Sequence, residues 1–360
     1  MRTVGVEEEF LLVDLAGRPV GVAALAAESA TVELELMEQM LETGTQPCLA
    51  ARELAEQLGQ RRRGAALAAR DAGARLVALA TSPLAGTPTV TGGPRYQRML
   101  AEFGITAREQ LTCGCHVHVE IADAEEGVAV LDRIGPWLPG LLAVSANSPF
   151  WQGADTGYAS FRSQVWRRWP TAGPTAPFGS AGAYAETVDA LVATGAALDP
   201  AMVYFDARLS QRYPTVEVRA ADVCLRPQDA LLVAVLVRAL VETAARDALS
   251  GRPLPGVGVE VLRGAAWRAG RHGLGDGLVH PGTGYRAPAA EVIGALLEHV
   301  RPVLAEQDEW DLVETLWTDL RSRGTGAAEQ RRWASDGLAE VVFQATDATL
   351  MRPGTRIIPS

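Results

Sequence analysis

Leu111-Thr112-Cys113-Gly114-Cys115-His116-Val117-His118-Val119-Glu120 is the stretch on which the fold turns. Side chains on a strand alternate between faces, and here the alternation is sharp. Leu111, Cys113, Cys115, Val117 and Val119 form an apolar face, whereas Thr112, Gly114, His116, His118 and Glu120 form a polar one. Two of the chain's five histidines thus sit on one side with a glycine gap next to them. His-x-His on a strand is a known zinc-ligand spacing; phosphate contact and ordinary polar surface are the other readings. The Cys-x-Cys pair points the opposite way and reads as core.

Two more strands share this character. In Gly5-Val6-Glu7-Glu8-Glu9-Phe10-Leu11-Leu12-Val13, Glu7 and Glu9 share a face with Gly5, while Val6, Glu8, Phe10 and Leu12 take the other. Carboxylates about 7 Å apart on one face repel unless a cation lies between them; the plain alternative is a solvated edge strand. In Pro214-Thr215-Val216-Glu217-Val218-Arg219-Ala220-Ala221-Asp222, alternation places Thr215, Glu217, Arg219 and Ala221 together. Glu217 and Arg219 either pair with each other or divide their work between metal and anion. The segment 148–170 holds Trp151, Trp166, Trp169, Tyr158, Arg162, Arg167 and Arg168. Rings beside guanidinium groups suit a small anionic substrate or a stacked base; the alternative is a loop packed on its own tryptophans.

Composition narrows the chemistry. All 33 basic residues are arginine, so no lysine exists for a Schiff base or a GxxxxGK[ST] phosphate loop. Phosphate must be held by Arg, backbone N–H groups or metal. A formal net charge of −10 argues against nucleic acid as a partner. No apolar run reads as membrane-spanning and no signal peptide is recognised. The four cysteines, Cys48, Cys113, Cys115 and Cys224, are too few and irregular for a disulfide framework and fit a reducing compartment, so a cytoplasmic location is expected.

Periodicity predicts a strand over 1–15, a turn at 17–19, an ambiguous stretch over 31–48, and a helix from 50 to 80 bearing Leu54, Leu58, Ala65, Ala69, Leu76 and Leu79. Further helices are expected at 95–103, 125–148 with a break at Pro136, 182–195, 227–249, 259–272, 287–305, 308–322 and 325–339. Strands are expected at 110–121, 201–207 and 214–224. The mid-helix run Arg61-Arg62-Arg63 reads as solvated, as does Arg331-Arg332. Strands spaced by helices without βαβ alternation or a Gly-rich turn give α+β, in a single domain over 1–360.

Together, Gly5-Val6-Glu7-Glu8-Glu9-Phe10, Gly114-Cys115-His116-Val117-His118-Val119, Ser148-Pro149-Phe150-Trp151-Gln152-Gly153 with Thr156 to Trp166, and Thr215-Val216-Glu217-Val218-Arg219 resemble the carboxylate–amine ligases of glutamate–cysteine ligase type 2. The resemblance implies a glutamine-synthetase-like fold, a curved and mainly antiparallel sheet forming a bowl with flanking helices. It implies metal ligands Glu7, Glu9, Glu42, His116 and Glu217, catalytic groups Arg219, Arg162 and His116, nucleotide contacts from Arg219 and His118, and substrate contacts from Arg162, Trp166 and Tyr158. Glu42 has close rivals in Glu35 and Glu38. ATP with Mg²⁺ or Mn²⁺ would join a carboxylate to an amine through an acyl phosphate, glutamate and cysteine being the default substrates. Phosphoryl transfer to a guanidino nitrogen, a zinc hydrolase on His116 and His118, and a binding protein without turnover are the competing readings. The apolar C-terminal helices can pack internally or against a second copy in a homo-oligomer.

Overall fold

The computed structural model describes residues 1–27 and 32–350; residue 31 of the ambiguous stretch and residues 351–360 of the expected domain lie outside them. Seven strands form one antiparallel sheet: β1 Val4–Val13, β2 Glu33–Leu34, β3 Met40–Gly44, β4 Arg75–Val77, β5 Gly114–Glu120, and, after a small hairpin of β6 Phe150–Trp151 and β7 Ala154–Asp155, β8 Ala207–Leu209 and β9 Thr215–Asp222. The order is β2-β3-β1-β5-β9-β8, and β4 pairs with the far end of β1. A second small hairpin joins β10 Leu278–Val279 to β11 Arg286–Ala287.

Directly opposed residues of an antiparallel pair lie on the same face, so the register decides what each face carries. Val4 opposes Val119, Val6 opposes Val117, and β5 continues the row through Val117 to Val218 and Val119 to Val216. All six valines are buried in one apolar cluster. Helices Ala51–Asp71, Ala124–Ile134 and Pro227–Leu249 contribute to that cluster, and the last is buried over most of its length. Pro227 at its start costs no hydrogen bond, because the first N–H groups of a helix have no partner within it. A second cluster gathers Phe10, Leu12, Leu41, Leu76 and Trp169.

Several expectations are corrected. The helix predicted to Ala80 stops at Asp71, with Gly73 in left-handed backbone beyond it, and 75–77 becomes β4; Leu76 is buried as a strand residue. The strand expected at 201–207 is a 3₁₀ turn at Pro200–Met202 followed by β8 at Ala207–Leu209. The helix expected over 325–339 is Gly326–Trp333, and a further helix, Leu338–Thr349, follows. Helix Ala124–Ile134 runs through a 3₁₀ turn at Gly135–Trp137 into Leu138–Ser145. By length and composition this continuous run Ala124–Ser145 could cross a bilayer, but 67% of its most apolar window is buried within the fold, as in a core helix.

Arg62 is the sharpest departure, because it is not solvated at all. Its guanidinium and the Glu8 carboxylate are each 1% exposed and form a bidentate pair at 2.6 and 3.0 Å. The carbonyls of Cys224, Leu225 and Thr349 accept its remaining hydrogens. Arg331 is half-buried and pairs with Asp155. On β9, a bulge shifts the register between Cys115 and Val117, so Ala221 opposes Cys115 and Asp222 opposes Gly114. Ala221 therefore leaves the face of Glu217 and Arg219 for the apolar cluster, and Asp222 turns toward the polar side.

Candidate active site

On the polar face the same register aligns the charged residues in rows. Glu7 opposes His116; Glu9 opposes Glu42; His118 opposes Glu217, and Glu217 opposes Arg208. These side chains line a hollow of about 380 Å³, with Glu33, Glu35, Arg95, Tyr96, Trp166, Trp169, Tyr204, Arg212, Tyr213 and Arg219 around them. That volume suits a small molecule. A second hollow of about 460 Å³ shares the wall of Glu7, Glu33, Glu42, His118 and Tyr213 and extends past Gly5, Gly44, Thr45 and Arg61.

Three groups of donors lie close enough to share an ion: Glu7–Glu42–His116, Glu7–His118–Glu217, and Glu9–Glu35–Glu42, their ligand atoms within 4.8 Å of one another. The two histidines fall in separate groups, each joined by carboxylates. Nε2 of His116 is buried without a hydrogen-bond partner among the described residues, and buried polar atoms are otherwise paired; Nε2 of His118 lies 3.3 Å from the Glu7 carboxylate. His118 is oriented through Nδ1, 3.0 Å from the Thr215 hydroxyl. An oxygen-rich set with one imidazole fits a hard divalent cation such as Mg²⁺ or Mn²⁺.

The electrostatics agree with that fit. Burial, reinforced by the Glu35 carboxylate, pushes Glu9 up to about 7 against the pull of Arg162, the Gly114 N–H and Arg219. Burial and a hydrogen bond with Glu35 also raise Glu42 well above the ordinary carboxylate range. Burial acts to raise Glu7, but the imidazoles of His116 and His118, 3.7 and 3.3 Å from its carboxylate, outweigh it and hold the group far below that range. Burial and the nearby Arg219 lower His116 to about 4, so its imidazole is neutral near pH 7 and its lone pair is free to bind a metal. Glu217 is held low despite burial by Arg219 and Arg208, and its carboxylate pairs with both.

The arginines are braced by aromatic faces. Trp166 lies under both Arg162 (5.5 Å) and Arg219 (5.6 Å), and Tyr204 under Arg219 (5.8 Å). Arg162 is buried, and its guanidinium occupies the space where a Cβ of residue 114 would stand; glycine alone admits it. The Gly114 N–H in turn donates to Glu9. Of the residues expected in the site, Glu7, Glu9, Glu42, His116, His118, Glu217, Trp166 and Arg219 line the main hollow, while Arg162 sits directly behind, next to Trp166 and Arg219. Tyr158 does not line it: its ring meets Arg271 and its hydroxyl accepts from Trp267. Arg208 and Glu35 were missed. Arg208 followed the strand expected to end at 207, and Glu35 was set aside in favour of Glu42, although both acids face the hollow.

The sequence profile described as glutamate–cysteine ligase family 2 matches residues 3–343. The chain belongs to glutamate–cysteine ligase family 2. Members of this family are ATP-dependent ligases that form C–N bonds, and the chain is an enzyme of that class. A protein of Frankia alni, provisionally named glutamate–cysteine ligase 2-2, is 47% identical over 96% of this chain and 97% of its own length. One from Streptomyces avermitilis, provisionally named glutamate–cysteine ligase 2-1, is 52% identical over 92% of this chain and 94% of its own. Among solved structures, the fold matches a bifunctional glutathione synthetase from Pasteurella multocida (TM-score 0.73, 16% identity), covering 98% of this chain and 53% of that one, so the chain spans about half its length. It also matches the Francisella tularensis glutamate–cysteine ligase solved with AMP (TM-score 0.69, 12% identity), over 98% of this chain and 89% of the other. The expected family and α+β ligase fold are therefore correct.

Proposed function

We propose that this enzyme uses ATP with Mg²⁺ or Mn²⁺ to join the side-chain carboxylate of glutamate to the amine of cysteine, in the cytoplasm. The observation that carries the reading is the antiparallel register that turns acids distant in sequence and the imidazoles of His116 and His118 toward one hollow. Glu7, Glu9, Glu42 and His116, with Glu35, would hold the cation, which neutralises the triphosphate when bound. Glu217 lies at the edge of this set, its charge already answered by Arg208 and Arg219.

In the first step a carboxylate oxygen of the substrate attacks the γ-phosphorus and ADP departs. In the second the amine attacks the acyl carbon, the C–O bond to phosphate breaks, and inorganic phosphate leaves as the amine loses a proton. Negative charge grows on the phosphoryl oxygens and then on the acyl oxygen. Arg219 and Arg162, fixed in place by Trp166 and shielded from water, stabilise it without reorganising. His118, oriented by Thr215, faces the hollow beside Glu7, where it would contact the nucleotide phosphates. Tyr158 does not line the hollow and is given no part in this reading.

ADP and phosphate release are to be measured against a panel of amino-acid pairs. Stoichiometric ADP and phosphate with glutamate plus cysteine, abolished by Glu9→Gln, is the expected result. A stable phosphorylated amine with no free phosphate would replace the ligase with a kinase.

A further inference from the structure

Asp222, at the end of β9, is neither a proposed cation ligand nor part of the hollow's lining, yet its carboxylate is wholly buried. It accepts hydrogen bonds from the Asn147 N–H (2.8 Å) and from the hydroxyls of Ser148 (2.7 Å) and Ser160 (2.8 Å). All three donors belong to the segment that carries Arg162. Ser148 then accepts the backbone N–H of Arg162 (3.0 Å), so one hydroxyl links the carboxylate to that residue's main chain. The Arg162 Nη1 atom itself lies 3.9 Å from Asp222 Oδ1. Three neutral donors do not cancel a buried charge; a nearby guanidinium does.

Two features make the arrangement specific. The β9 bulge sets Asp222 opposite Gly114, the residue whose missing side chain leaves room for the Arg162 guanidinium. Asn147 is locked from behind: its side-chain amide donates to the carbonyls of Ala78 and Val223, and Gln330 donates to its backbone and side-chain oxygens. The segment is thereby fixed between the sheet and helix Gly326–Trp333.

We propose that Asp222 is a positioning residue for catalysis: it holds the 147–163 segment and the Arg162 guanidinium over Gly114, close to Glu9, where the reaction builds negative charge. This rests on the role given to Arg162 above. Asp222→Asn keeps the shape and removes the charge, and kcat for ADP release is expected to fall at least about ten-fold with a smaller change in KM. In the Arg162→Met background the same substitution is expected to change kcat less than about two-fold, since coupled residues are non-additive. Free guanidinium ion should partly restore Arg162→Ala but not Asp222→Asn/Arg162→Ala, a readout that simple loop destabilisation does not produce. Multiplicative losses, or equal rescue of both, would overturn the proposal. If Asp222→Asn does not fold, Ser148→Ala, which cuts the link between carboxylate and backbone, takes its place in the cycle with the same criteria. An unchanged kcat in Arg162→Met would remove Arg162 from the mechanism and Asp222 with it, whereas a parent enzyme without ligase turnover would fail the functional reading itself.

Discussion

Glu9→Gln is expected to make the metal-free protein more stable while stopping its turnover. Burial and Glu35 raise Glu9 from its ordinary 4.5 to about 7. That is about 2.5 pH units, and at about 1.4 kcal/mol per unit the ionised carboxylate costs the fold about 3 kcal/mol at pH 8. The direction follows from proton counting. Between 4.5 and 7 the folded state binds more protons at this site than the unfolded state, so stability falls as pH rises through that window. Below it the two states are alike. Glutamine keeps an oxygen for the Gly114 N–H but carries no charge. With an unfolding entropy of about 2.1 cal/mol/K per residue, a 360-residue chain gains about 4 °C in Tm. Thermal melts with a chelator should show this gap at pH 8 and its near-closure at pH 5. Saturating Mg²⁺ should stabilise the parent more than the variant. A variant that melts at or below the parent at pH 8 without cation, or a gap that persists at pH 5, would refute the electrostatic reading of Glu9.

Arg62→Ala leaves Glu8 charged and unpaired in the core and strips hydrogens from three carbonyls, so urea unfolding should show a loss of about 3–5 kcal/mol; a loss below about 1 kcal/mol would mean that water reaches the pair. Gly114→Ala should displace the Arg162 guanidinium and lower kcat at least about ten-fold, checked by steady-state ADP release beside a melting curve that separates the effect from misfolding.

The polar and apolar sides of β1 and β5 were legible because strict alternation survives in both strands, and their pairing carries that alternation into the structure. Alternation failed at Ala221 and Asp222, since the bulge puts one extra residue in β9 between Val218 and Ala221, and nothing in the strand's own sequence marks where that residue falls. Arg62 was misread for a related reason. Three consecutive arginines look like a solvated run, but successive helical residues point about 100° apart, so one of the three can face the core while its neighbours stay outside. Glu35 and Arg208 lie on strands of two and three residues or just beyond them, too short for any periodicity to register. The proposed ligand set is a property of pairing between strands, and only the family resemblance brought Glu42 to it.

The Glu7-Glu8-Glu9 run assigns its members to opposite sides, and this makes it a registration pin. Sliding β1 by a single residue would invert every side chain, thrusting two acids into oil and drawing the one paired with Arg62 out into the basin. Misaligned pairings of the central strand are thus penalised by charge before any catalytic group is tested, and the accuracy of assembly is written into the same run that supplies two of the proposed cation ligands.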